Sequence, residues 1–264
     1  MISALAILCV RNEAIHIHRC IDDLISSGLE VYLIDNGSTD GTREAAETYL
    51  GKGLIGIHDL PWRGAFSLTD QLVAKRGIIS EAEHDWILHC DADEWLMSPN
   101  DGQSLLEGFD AADNAGFNCV NFHEIVFLPL PGEDFEQEDY AEKMQSYYFF
   151  QPSYPRLYRA WRRDAGLDNS AYGGHLLIGE GLNPYPIDFI LRHYIVLSMA
   201  HAQRKYYGRI FSTEDRSKGW HGNRISITKD NLVVKPAPEL RRLDDPNSRE
   251  FDLSAPAGRH FWEW

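Results

Sequence analysis

Three acids stand together in Asp91-Ala92-Asp93-Glu94, two residues after the apolar run Trp86-Ile87-Leu88. Carboxylates one residue apart at the end of a strand can meet a single divalent cation. Oxygen ligands suit Mg²⁺ or Mn²⁺, hard ions that keep open positions for substrate phosphates. Acids crowded at the mouth of a buried strand are costly without a counter-ion. A metal-binding edge is therefore preferred over a polar turn in which Asp93 or Glu94 caps a following helix. A basic group, Arg192, His193, Lys205, Arg209, Lys218, His221 and Arg224, gathers in the second half of a chain whose 40 Asp and Glu outnumber its 25 Lys and Arg. Fixed cations beside a departing diphosphate lower the barrier to its departure. The plainer reading of Lys205 and Arg209, four apart on a helix, is a solvated face. His16 and His18 make no metal pair, since residues two apart on a helix point to different faces.

The elements that must position these residues alternate along the first half. Residues 2–10 form a continuous apolar run, as in a strand covered on both faces of a parallel sheet. Ile17, Ile21, Leu24 and Ile25 recur at helical spacing, with Gly28 where a helix C-terminal glycine belongs. Residues 31–34 read as a second strand, and 42–50 as a helix after the polar stretch that begins at Asp35. Residues 54–57 follow as a third strand, Leu68, Leu72, Val73 and Ile79 as a helix, and 86–88 as a fourth strand. This alternation predicts an α/β, doubly wound, mostly parallel sheet flanked by helices. Ligands bind such sheets beyond the carboxyl ends of the strands. Those ends carry Arg11-Asn12-Glu13, Asp35-Asn36 and Asp91-Ala92-Asp93, so these polar clusters share one edge.

The second half is less regular. Val120, Phe122, Val126 and Leu128 suit a half-buried strand, 129–140 an acidic surface loop, 156–161 and 189–197 further strands, and 198–211 a helix. From about residue 236 an irregular tail is expected. The aromatic segments Tyr147-Tyr148-Phe149-Phe150 and Phe261-Trp262-Glu263-Trp264 are read as core or interface before sugar-stacking surfaces.

Composition bounds the alternatives. With 264 residues there is room for one large α/β domain rather than two separate ones. A net charge of −15 argues against a nucleic-acid or anionic-membrane binder. No apolar run reaches the roughly 18 to 20 residues of a membrane-spanning helix, and the N-terminus lacks the basic flank of a signal peptide. Cys9, Cys20, Cys90 and Cys119 make no CxxC pair and read as reduced, mostly buried thiols of a cytosolic protein.

Arg11-Asn12-Glu13, then Leu33-Ile34-Asp35-Asn36-Gly37-Ser38-Thr39-Asp40-Gly41-Thr42, then Asp91-Ala92-Asp93-Glu94 together resemble the family-2 glycosyltransferases. The resemblance implies a bacterial, metal-dependent enzyme of GT-A fold. Such an enzyme moves a sugar, with inversion, from a UDP-sugar to a glycan or lipid-linked acceptor in polysaccharide biosynthesis. It implies that the backbone at Val10 and the side chains of Arg11, Asn12 and Glu13 line the nucleotide pocket. Asp35, with Asn36 beside it, would accept a hydrogen bond from the base. Asp91 and Ala92 would lie near the ribose, Asp91 also near the metal, and Asp93 would bind the cation bridging the diphosphate. As a plain turn, the Asp35–Thr42 stretch would use Ser38 or Asp40 as a helix N-cap.

Leu191-Arg192-His193-Tyr194, Ser198, Lys205 and Gly208-Arg209 resemble a bacterial subgroup of the same enzymes. That likeness implies His193 or His175 as a further metal ligand. Inverting transfer also needs a carboxylate near the acceptor hydroxyl, and the candidates are Glu124, Glu133, Asp134 and Glu180. Tyr172-Gly173-Gly174-His175 resembles a segment in which relatives show His-Glu. Here Leu176 follows, so Glu180 is the nearest substitute, with surface solvation the default for each acid.

The expected organisation is 1–118 as the nucleotide-sugar half, 119–235 as the acceptor-binding and catalytic half of the same domain, and 236–264 as a tail. A cytoplasmic location is expected, with peripheral membrane contact and oligomeric state left open. A nucleotidyltransferase would carry a glycine-rich loop after the first strand, which Cys9-Val10-Arg11-Asn12-Glu13 lacks. A phosphohydrolase would carry Asp-x-Asp after the first strand rather than the fourth, and a dinucleotide oxidoreductase would carry GxGxxG. A non-catalytic nucleotide-sugar-binding protein stays open.

Overall fold

The computed structural model describes residues 2–137, 139–234 and 240–264. β1 (Ala4–Val10) is apolar throughout and buried except at Cys9, as a strand covered on both faces must be. β2 (Glu30–Asp35), β3 (Leu54–Asp59) and β4 (Trp86–Cys90) join it in parallel, in the order β3-β2-β1-β4. The crossovers are α1 (Ala14–Ser26), α2 (Thr42–Glu47) and α3 (Leu68–Glu81). α1 buries Ile17, Cys20, Ile21 and Leu24, the stripe expected of an amphipathic helix. It ends at Gly28, whose φ of 88° is cheap for glycine alone, and a Cβ there would meet Leu106 at 3.0 Å. The register pairs Val10 with Asp35 and Leu8 with Cys90, so the polar termini of β1, β2 and β4 stand side by side.

Beyond β4 the sheet becomes antiparallel. β5 (Glu94–Met97) follows the acidic turn directly, so neither Asp93 nor Glu94 caps a helix. The next helix, α4 (Leu105–Asn114), starts from a capping box of Ser104 and Glu107. β6 (Cys119–Phe127), β7 (Ser146–Phe150), β8 (Tyr158–Arg162) and β9 (Phe189–His193) complete the body of the sheet. β8 lies antiparallel between β4 and β6, while β9 runs parallel to β6 and antiparallel to β5. The last strand, β10 (Arg241–Arg242), pairs with β7 at the far edge.

Short helices α5 (Tyr140–Lys143), α6 (Met199–Tyr206), α7 (Thr213–Ser217) and α8 (Gly222–Ile225) lie outside the sheet. α6 stops before Gly208 (φ 71°), shorter than the helix expected over 198–211, and Phe211 instead bridges to Phe66. The strand expected over 189–197 ends at His193.

Trp86 stacks on Phe109 at 5.4 Å and Phe109 on Phe189 at 5.6 Å, joining β4, α4 and β9. Tyr148 and Phe150 of β7 are buried with Phe261 and Trp262, so both aromatic segments are core. The tail packs into this core, and the boundary expected at 236 lies outside the described residues. All four cysteines are free thiols, and Cys20, Cys90 and Cys119 are buried. Among the described residues no helix is long and apolar enough to cross a membrane.

Candidate active site

The turns after β1 and β2 are stitched to each other. The Arg11 guanidinium donates to the carbonyls of Asn36 (2.7 Å) and Gly37 and lies 3.7 Å over the Trp62 ring. Asn12 takes the left-handed conformation that Asn tolerates (φ 57°), and its side-chain oxygen accepts from Thr39 N at 2.8 Å. Glu13 N donates to Thr42 Oγ1 at 2.7 Å and Ala14 N to Asp40 Oδ2 at 3.1 Å, so the loop after β2 caps α1. Asp40 Oδ1 also accepts Thr42 N at 3.0 Å, while Gly41 stands at the N-cap of α2. Asp35 is buried, and both its oxygens accept Ser38 N at 3.2 Å. Asn36 donates to Leu60 O at 3.1 Å.

At the acidic turn the counter-charges come from distant elements. Arg159 of β8, itself buried, pairs with buried Glu94 and lies 3.4 Å from Asp91 Oδ2, while Asp91 N donates to Glu94 Oε2 at 3.0 Å. β5 and β9 pair Glu94 with His193. That register brings His193 Nε2 to 3.3 Å from Asp93 Oδ2 and its Nδ1 to 2.8 Å from Glu124 Oε1. Lys205 of α6 donates to the same Asp93 oxygen.

Burial alone would raise the Asp93 carboxyl, but Lys205 and His193 hold it well below the usual carboxylate range. Burial would likewise lower His193, and the carboxylates of Asp93 and Glu124 outweigh it and raise it well above the ordinary imidazole value. Glu94 is pushed up to about 7 by burial, against the pull of Arg159. Burial also carries Glu13 to about 7, opposed by Lys205 and reinforced by Asp93.

Two cavities open at this edge. The larger, about 650 Å³, is lined by Arg11, Asn12, Asp40, Trp62 and Gly64 on the β1–β3 side and by Glu136, Arg204, Tyr207 and Ile210 opposite. The smaller, about 160 Å³, is lined by His89, Asp91, Ala92, Asp93, Arg159, His175, His193, His221 and Arg224. Arg11, Glu13, Lys205 and Arg209 line both and form the neck between them. A Cβ on Gly174 (φ 80°) would meet His89 at 2.5 Å, so glycine there lets the loop close against the cavity wall.

The sequence model of Glycosyl transferase family 2 matches residues 5–128. This stretch is a family 2 glycosyl transferase domain. The lipopolysaccharide core biosynthesis glycosyltransferase LpsC of Rhizobium meliloti is 32% identical over 91 residues, 34% of this chain and 31% of that protein. The cholesterol galactosyltransferase of Borreliella burgdorferi is 31% identical over 128 residues, 47% of this chain and 33% of that protein. The aligned part thus spans only about a third of the length of these curated relatives. The crystal structure of S. aureus TarS 1-349 in complex with UDP covers 88% of this chain and 75% of its own at 14% identity, with a TM-score of 0.41. The family 2 match ends one residue after β6, so Arg159, His193, Lys205, Arg209 and Arg224 reach the edge from outside it.

Of the residues singled out in the sequence, Arg11, Asn12, Glu13, Asp91, Ala92, Asp93, His175, His193, Lys205 and Arg209 come together on the two cavities. Val10 and Asp35 lie buried beneath the edge, paired in the β1–β2 ladder. His175 shares the smaller cavity with Asp93, and burial, Arg156 and Arg159 lower its proton affinity. Arg192 turns away from the site. Its guanidinium is buried under the tail, donates to Pro246 O and Ser248 O, and lies 5.0 Å from the Trp95 ring, because alternate residues of a strand face opposite sides. Lys218 is exposed, donates to Thr69 and Glu214, and lines neither cavity.

None of the four candidate bases lines either cavity: Glu124 is buried against His193 Nδ1, and Glu133 is exposed. Glu180 is exposed on a turn beside Gly181, whose carbonyl accepts from Asn118 just ahead of β6. β6 points the same way as β4, so that turn lies at the sheet edge opposite Asp91. Asp134 is exposed on the loop that bridges to Ser198, and its neighbour Glu136 lines the larger cavity instead. Arg159 and Trp62 were missed. A lone arginine inside the apolar run Leu157-Tyr158-Arg159-Ala160-Trp161 was the available signal for the first.

Proposed function

We propose that the protein transfers a sugar from a nucleotide diphosphate donor, a UDP-sugar, to a glycan or lipid-linked acceptor with inversion at the anomeric carbon. The observation that carries this reading is the pair of cavities joined at a neck of Arg11, Glu13, Lys205 and Arg209, with Asp91 and Asp93 beside it. In this reading the larger cavity receives the nucleoside, with Trp62 and Asn12 on its wall, and the smaller receives the sugar. The neck then brackets the diphosphate, and Lys205 and Arg209 stabilise the charge that grows on it as the glycosidic bond breaks.

A divalent cation fits this edge. Among the described residues no three histidines, cysteines or acids form a ready-made metal cage. Mg²⁺ and Mn²⁺ commonly need only one or two carboxylates plus substrate phosphates. Asp91 and Asp93 would hold the ion. Glu124 orients His193 Nε2 toward Asp93, as an outer carboxylate does for a ligating imidazole. When bound, the ion supplies Lewis-acid neutralisation of the diphosphate. Lys205 shares the Asp93 oxygen, from which its ammonium would turn to the phosphates of a bound donor.

The test is ligand-linked stability. UDP with Mn²⁺ at about a hundred times its Kd should add about 2.7 kcal/mol to the free energy of unfolding. Calorimetric melting should read this as a rise in Tm of several degrees, abolished by EDTA and by Asp93→Ala. No stabilisation by any nucleoside diphosphate, with or without metal, sinks the proposal.

A further inference from the structure

The smaller cavity holds more positive charge than the donor reading uses. Lys205 and His193 are satisfied by Asp93, and Arg159 by Glu94 and Asp91. Arg209 and Arg224 line the same cavity, and neither side chain makes an ion pair or hydrogen bond with a described residue. The Arg209 guanidinium rests 4.1 Å over the Phe66 ring. Arg224, carried on α8, presses electrostatically on Arg209, His175 and His221, all of them bases. After burial itself, Arg224 is the strongest influence holding the Arg209 guanidinium below its ordinary value. Burial and neighbouring arginines also keep His175 and His221 neutral.

Such an arrangement is out of place in a chain with a net charge of −15, where a carboxylate could pair with either arginine at little cost. Two half-buried like charges lining one cavity repel, and a bridging oxyanion turns that repulsion into charge-assisted hydrogen bonds. The diphosphate does not exhaust this capacity. Arg11, Lys205 and Arg209 serve the neck, whereas Arg224 lines only the smaller cavity. At about 160 Å³ that cavity has room for one sugar-sized group.

Resting on the donor-site reading above, we propose that Arg224, together with the neck residue Arg209, forms an oxyanion subsite for a carboxylate or phosphate borne by a substrate at the sugar end of the site. The anion is carried either by the sugar transferred, as in a uronic acid, or by the acceptor.

Calorimetric titration of the full chain with Mn²⁺ separates the sources. One arm compares UDP-glucuronate with UDP-glucose. The other adds glucuronate, glucose 6-phosphate or glucose to protein saturated with UDP. In one arm the acid-bearing ligand should bind at least about ten-fold tighter than its neutral counterpart, and that arm names the source. Arg224→Gln should erase the preference while leaving the affinity for UDP unchanged, and Arg224→Lys should keep part of it. The wild-type preference stands as a measurement even where a variant folds poorly. No acid preference in either arm overturns the subsite, as does an Arg224→Gln variant that loses UDP affinity to the same extent. UDP binding without acid preference spares the donor site, whereas no UDP binding at all overturns both readings.

Discussion

Asp93 and Lys205 lie 112 residues apart in the chain and meet at one carboxylate oxygen. The protein thus supplies the acidic turn with internal cations, Lys205 and His193 for Asp93 and Arg159 for Glu94. A buried carboxylate left without them would be forced toward its neutral form. Under the proposed reading, a lysine whose ammonium passes from Asp93 to the leaving diphosphate acts in the transition state more than in ground-state binding. Lys205→Ala should therefore lower kcat by about 100-fold with a much smaller change in donor KM. Steady-state kinetics against the UDP-sugar check this, and an unchanged kcat removes Lys205 from the mechanism.

Among the elements, α3 and α7 are locked by one buried side chain. Asp215 accepts Leu68 N at 2.7 Å, Thr69 N at 3.1 Å and Thr69 Oγ1 at 2.7 Å, and lies 3.3 Å from His221 Nε2. This clasp fastens the segment bearing His221 and Arg224 to the start of α3, and both residues line the smaller cavity. Burial alone would raise the Asp215 carboxyl, but the Thr69 hydroxyl, the two amides and His221 bring it below its ordinary value. Its stabilising effect is complete above the unfolded carboxylate value of about 3.9 and is lost as pH falls through the lower folded value. Asp215→Asn should cost about 2 kcal/mol at neutral pH, and the gap from wild type should narrow once the pH drops below about 4. Urea unfolding at neutral and acid pH measures both, and a gap independent of pH would mean that the charge contributes nothing.

Over the whole molecule, the parallel half is closed by local crossovers, while the antiparallel half is held by long-range contacts that end in the tail. Phe261 and Trp262 pack with Tyr148, Phe150 and Tyr206, and Arg192 clamps the carbonyls of Pro246 and Ser248. The tail therefore belongs to the core that supports β7 and α6, and α6 carries Lys205. Phe261→Ala should cost about 3–5 kcal/mol, read as a lower urea midpoint with an unchanged slope. A loss under about 1 kcal/mol would show a surface side chain instead of a core one.

Much of this molecule was legible locally. β1 to β4 and α1 to α3 follow from apolar periodicity, because a strand buried on both faces and an amphipathic helix each write their burial into a few neighbouring residues. The same alternation places Arg11, Asp35 and Asp91 on one edge, since parallel strands end together. β5 and α4 escaped: β5 is short, and α4 carries Gly108 where a Cβ would meet Phe189 at 2.8 Å, a packing demand with no local signature. Which cation neutralises which acid, and that Arg192 turns inward while His193 turns to Asp93, depended on the β5–β9 register and on α6 folding back across the edge. Spacing along a chain specifies which face of an element a residue occupies. What stands opposite that face is decided only when distant elements pack, and the acidic turn acquired its partners at that step.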